Sequence, residues 1–62
     1  MFMVSTGERF ATLREANTFA IVHATPNSGV TVTMPQGGIM SLWDFRVWST
    51  LAVRRLDGGA RS

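Results

Sequence analysis

Cysteine is absent from this sequence. That excludes a disulfide framework and a thiolate zinc site. There is one histidine, His23, so a His-rich metal cage is excluded too. Long apolar runs are also missing: the longest are Met1 to Val4 and Phe19 to Val22. Neither approaches the roughly 20 residues of a membrane span. The N-terminus has no basic segment ahead of an apolar one, as a signal peptide would have. These absences predict a soluble cytoplasmic protein with no membrane partner, cofactor or bound metal.

Lysine is absent as well, and all six basic residues are arginine. Arginine forks recognise phosphate and carboxylate bidentately. Codon usage in a GC-rich genome gives the same bias, and the alanine and glycine usage agrees with it. The net charge of +2 is modest and unevenly placed. Glu8, Arg9, Arg14 and Glu15 cancel within residues 1–41. Arg46, Arg54, Arg55 and Arg61 outweigh Asp44 and Asp57 in the last third.

A chain of 62 residues is one small domain, and chains this short often need a staple. Residues 1–6 read as a possible apolar tail or edge strand, and 57–62 as a flexible C-terminal tail. No internal repeat is evident. Alternation predicts a first strand over 8–14, with Phe10, Thr12 and Arg14 on one side. A helix there is the alternative, since Ser5 and Glu8 fit a capping box. The firmest expectation is a hairpin from Thr18 to Met34. Phe19, Ile21 and His23 face one way and Ala20, Val22 and Ala24 the other. After Pro26-Asn27-Ser28-Gly29 come Val30, Val32 and Met34, with Thr31 and Thr33 on the far face. Pro35-Gln36-Gly37-Gly38 is a second turn, and Ile39-Met40-Ser41 a short strand.

Ser41 and Asp44 then suggest a second capping box, with a helix from Leu42. It either stops near Ser49 before a last strand over 51–56, or runs on to Leu56. In the second case Gly58 would end it, and Leu42, Phe45, Trp48, Ala52 and Leu56 would form its buried stripe.

The first option supports a resemblance. Gly7-Glu8-Arg9-Phe10, Phe19 to Ala24, Gly29 to Val32, Gly37 to Phe45 and Val53 to Leu56 together resemble small SH3-like barrels. Such barrels are common among accessory proteins of phages and plasmids. The resemblance rests on turn glycines and apolar spacing, and it implies a cytoplasmic protein of the host cell. The predicted fold class is mostly β, a small α+β domain. It is either an SH3-like barrel or an antiparallel sheet of three to five strands, with one helical segment after Ser41.

No catalytic set stands out. His23 is the one imidazole, but a general base needs a partner and a pocket. A strand histidine bonded to a backbone carbonyl is the plainer reading. Asp44 and Asp57 suit element ends, and Glu8 and Glu15 suit solvated surface. The Gln36-Gly37-Gly38 turn lacks the spacing and lysine of a phosphate loop. No small-molecule substrate is evident. Trp43, Phe45, Arg46 and Trp48 interleave aromatics with a cation, a composition frequent at protein interfaces. At about 100° per residue, the two tryptophans lie about 140° apart on a helix. One is expected to be buried and the other exposed.

The expected function is a non-enzymatic binding module that docks on a larger host protein or assembly, possible inhibitors included, or that self-associates. Trp43, Arg46 and Trp48 are the expected contact residues. The alternative is a nucleic-acid-binding protein using Arg46, Arg54 and Arg55 beside an aromatic.

Overall fold

The computed structural model describes residues 1–59. Its elements are β1 (Phe2–Val4), β2 (Arg9–Phe10), α1 (Leu13–His23), β3 (Thr31–Thr33), β4 (Ile39–Ser41) and α2 (Leu42–Gly59). The four strands form an open antiparallel sheet in the order β2-β1-β3-β4. Helices of 11 and 18 residues outweigh strands of two or three. The chain is therefore an α+β domain; the expectation of a mostly β domain with a single helical segment overstated the strands. Two stretches that carried the SH3-like resemblance as strands, Phe19 to Ala24 and Val53 to Leu56, belong to or adjoin helices.

The expected strand from Thr18 to Ala24 is the second half of α1. Thr12 begins this helix: its Oγ1 accepts the Glu15 backbone N–H at 3.2 Å, satisfying one of the free first-turn donors. Ala16, Asn17 and Ala20 are its buried residues, at helical spacing. Ala16 and Ala20 favour helix and let a neighbouring helix approach closely. The run Phe19 to Val22 was apolar on both sides of the supposed strand, so its alternation carried no real period. The predicted strand over 8–14 shrinks to Arg9–Phe10 for a local reason: Thr12 already caps a helix. The Ser5–Glu8 capping box gives way to a hairpin loop.

Residues Phe2–Val4 are neither tail nor edge. They form β1, paired on one side with β2 and on the other with β3. Val4 is buried there, and Phe2 packs on the core. The inward face of β3 is as expected: Val32 and Met34 are buried, with Thr31 and Thr33 on the other face. The core joins Val4, Val32 and Met34 to Ala16, Ala20, Leu42 and Phe45.

The long-helix alternative describes α2. Ser41 Oγ accepts the Asp44 N–H at 3.1 Å, and the helix passes Gly58 to Gly59. Its buried stripe differs from expectation. Leu42, Phe45 and Ser49 are buried, whereas Trp48 and Leu56 are exposed. Ser49 is accommodated because Asn17 Nδ2 donates to its Oγ at 2.7 Å. Asp57 lies in the helix rather than in a tail, and the rest of that tail, residues 60–62 with Arg61, lies outside the described residues.

An internal repeat, unexpected from the sequence, organises the whole domain. The chain is two successive hairpin–helix units, β1-β2-α1 and β3-β4-α2. Phe2↔Phe10 and Met3↔Arg9 in the first hairpin match Val32↔Met40 and Thr33↔Ile39 in the second, thirty positions on. The loops match bond for bond. Val4 N–H donates to Glu8 O and Gly7 N–H to Val4 O; Met34 N–H donates to Gly38 O and Gly37 N–H to Met34 O. Gly7 and Gly37 both take positive φ, 112° and 104°, closing short loops that favour glycine there. Met3 pairs with Thr33, its own counterpart, so a pseudo-two-fold axis passes between β1 and β3.

Candidate functional site

The repeat places two related clefts at opposite ends of the helix pair. One, of about 500 Å³, is lined by Thr6, Glu8, Phe19, His23, Val30 and Leu42. The other, of about 420 Å³, is lined by Leu13, Trp48, Leu51, Ala52, Arg55 and Leu56. Leu42, Phe19 and His23 in the first correspond to Leu13, Trp48 and Ala52 in the second, twenty-nine positions apart in each case. The same frame has diverged chemically: the first cleft is partly polar and the second apolar with one cation.

In the first cleft the His23 ring stacks on Phe19, with centroids 4.5 Å apart. The Glu8 carboxylate accepts from the Thr6 hydroxyl. The cleft thus holds the histidine and carboxylate that acid–base chemistry would require, yet no hydrogen bond joins them among the described residues. No group of three or more metal-ligating side chains occurs among the described residues either. No helix of the described residues is long and apolar enough to cross a membrane.

The second cleft opens on the outer surface of α2. Trp48 is 43% exposed, Leu51 54% and Leu56 60%, so the helix carries an apolar surface that the fold does not cover. Trp48 is held from beneath by Phe45, at 5.9 Å between ring centroids. Buried Phe45 is itself fixed against Phe2. A rigid core aromatic therefore orients the exposed one, which lowers the entropy lost when Trp48 makes a contact.

The expected contact residues divide into two groups. Trp43 and Arg46 come together, with Arg46 Cζ 5.1 Å from the Trp43 ring centroid in a cation–π arrangement. Both are half-buried. Trp48 lies on another side of α2 and has Arg55, not Arg46, as its cationic neighbour. The expectation of one buried and one exposed tryptophan becomes one half-buried and one exposed. Arg46 and Arg55 are nine residues apart, about 180° around the helix, so Arg46, Arg54 and Arg55 do not form one basic face. Leu13, Leu51 and Leu56 were missed as site residues. The paired motifs Thr12-Leu13-Arg14-Glu15 and Ser41-Leu42-Trp43-Asp44 carry the signal that would have placed Leu13 at a helix start.

Comparisons with protein-family models, curated proteins and solved structures return no match.

Proposed function

We propose that this chain is a small non-enzymatic binding module that works by protein–protein contact through the outer surface of α2, either on a larger protein or assembly or by self-association. The observation that carries this reading is Trp48. It stands exposed beside Leu51 and Leu56 in an apolar cleft, on a rigid helix, with Arg55 at its edge. Tryptophan with arginine on a preorganised apolar surface is the composition of interface anchors. A domain this small does not leave such side chains uncovered for the sake of its own core.

The test is retention of partners on the immobilised chain, with bound proteins identified by mass spectrometry. Trp48→Ala is expected to lose a stoichiometric partner while its far-ultraviolet circular dichroism stays unchanged. Retention that is indifferent to Trp48→Ala, or no retained partner at all, would count against this surface.

A further inference from the structure

We propose that the outer flank of α2 is a self-complementary seam, and that the partner it takes is a second copy of this chain packed antiparallel, α2 against α2. This rests on the reading of that surface as a protein contact and names its occupant. Four residues define the seam: Asp44, Trp48, Leu51 and Arg55. At about 100° per residue they fall within about 60° of one another, a stripe with the four-three-four spacing of a helix–helix interface. All four are exposed. They lie off the side of α2 that bonds α1 through Ser49, Thr50 and Asp57, with Leu13 at the start of α1 bordering the same cleft.

The order of charges along this stripe selects the occupant. Asp44 precedes Trp48 by four residues, and Arg55 follows Leu51 by four. Reversing the direction of the helix therefore maps acid onto base and Trp48 onto Leu51. In an antiparallel pair with its two-fold axis between Trp48 and Leu51, each Trp48 meets the other copy's Leu51. Each Asp44 then lies opposite the other copy's Arg55, giving two reciprocal ion pairs at the rim. A parallel pair would set Asp44 against Asp44 and Arg55 against Arg55, so the charges also reject the wrong orientation. Among the described residues the single ion pair is Arg14–Asp57, which leaves both seam charges free for this use. Val47, half exposed beside Leu51, widens the apolar centre. Trp43 and Arg46 lie outside the stripe, so the dimer keeps two copies of that pair available to a further partner.

Light scattering from about 10 µM to about 1 mM, the range in which weak dimers dissociate, tests the proposal. The wild-type chain is expected to pass from monomer to dimer. Asp44→Arg and Arg55→Asp are each expected to weaken the dimer by roughly tenfold, because each turns two attractions into two repulsions. An equimolar mixture of the two variants is expected to recover dimer, since both rim positions then carry opposite charges again. Both residues are exposed, so circular dichroism should show unchanged monomer folds. The proposal is overturned if the wild-type chain stays monomeric at the highest concentration. It is equally overturned if neither charge reversal weakens the dimer, or if the mixture does not recover it. A monomeric chain that still loses a captured partner on Trp48→Ala overturns the self-pairing and leaves the contact-surface reading intact.

Discussion

Asn17 and Ser49 meet at the buried centre of the helix pair, where Asn17 Nδ2 donates to Ser49 Oγ at 2.7 Å. The same Asn17 amide reaches Thr50 Oγ1 at 3.1 Å, and Ser49 Oγ also donates to the Arg46 carbonyl at 3.3 Å. Every buried side-chain polar atom among the described residues finds a partner, so this polar junction is compatible with an otherwise apolar layer. It also fixes how α1 sits along α2, because a slide by one turn would leave the amide unpaired.

The two partners of this junction are not equivalent under mutation. Asn17→Ala removes both bonds and is expected to cost about 1 to 3 kcal/mol. Ser49→Ala leaves the amide its Thr50 bond and is expected to cost about 1 kcal/mol or less. Urea denaturation followed by circular dichroism compares them; equal costs would contradict the asymmetry.

The repeat makes its own prediction. Gly7 and Gly37 occupy matching loop positions at φ 112° and 104°, and a Cβ at either would meet nothing within 4 Å. Any cost of Gly→Ala is therefore backbone strain alone, about 1 to 2 kcal/mol. The two variants should lose nearly the same stability. A large difference would mean that the loops only look alike.

Phe45 is fully buried, between Phe2 of the sheet and Trp48 of the contact surface. Phe45→Ala should cost about 3 to 5 kcal/mol from lost transfer energy and the cavity left behind. A domain of 62 residues has about 3 to 9 kcal/mol in total, so the variant is expected to lose more than half of it and to melt far below wild type. A cooperative thermal transition near that of wild type would refute this. Trp48→Ala should leave stability nearly intact by the same measurement.

Arg14 and Asp57 tie the start of α1 to the end of α2 through a two-pronged ion pair, both side chains more than half exposed. The hydrogen bond from Arg14 holds the Asp57 carboxyl below its ordinary value, against desolvation and with the arginine's charge adding to it. The same hydrogen bond and attraction raise Arg14. A depressed carboxylate stabilises the fold above its unfolded value and loses that contribution as pH falls through its folded value. The loss therefore belongs below about pH 4, the ordinary aspartate range. Asp57→Asn should lower neutral-pH stability slightly and remove the matching portion of the acid dependence, so that variant and wild type converge as pH falls. Added salt should shrink the difference. An acid profile identical in wild type and Asp57→Asn would rule the pair out.

The candidate surface was only partly legible beforehand. Trp48 stood out by composition, but its exposure did not, because Trp48 and Leu56 fit a helical core stripe as well as Ser49 does. Ser49 wins the inward position because Asn17, thirty-two residues away in sequence, supplies its hydrogen-bond partner. Nothing near Ser49 in the chain signals that partner. Arg46 was expected beside Trp43 or Trp48 alike; it packs on Trp43, three positions away on one helix turn, where spacing alone brings side chains together.

Local chemistry by itself determined the start of the second half of the domain. Pro35 to Gly38 turn the chain, Thr31 and Thr33 alternate with Val32, and Ser41 caps a helix from Leu42, whose length and inward face the sequence left open. It also determined what the chain cannot contain, a disulfide or a thiolate metal site. Tertiary structure decided the first half. Phe19 to Val22 are apolar without a period, so the alternation read there as a strand carried no weight against a helix. Helix prevails because it sets Ala16, Asn17 and Ala20 on one side against α2, a burial that exists only once α2 is in place. The central position of Phe2–Val4 has the same origin. Its pairing partner β3 begins at Thr31, beyond the reach of any local pattern, and the two strands are matched by the symmetry of two units that need each other to cover a core.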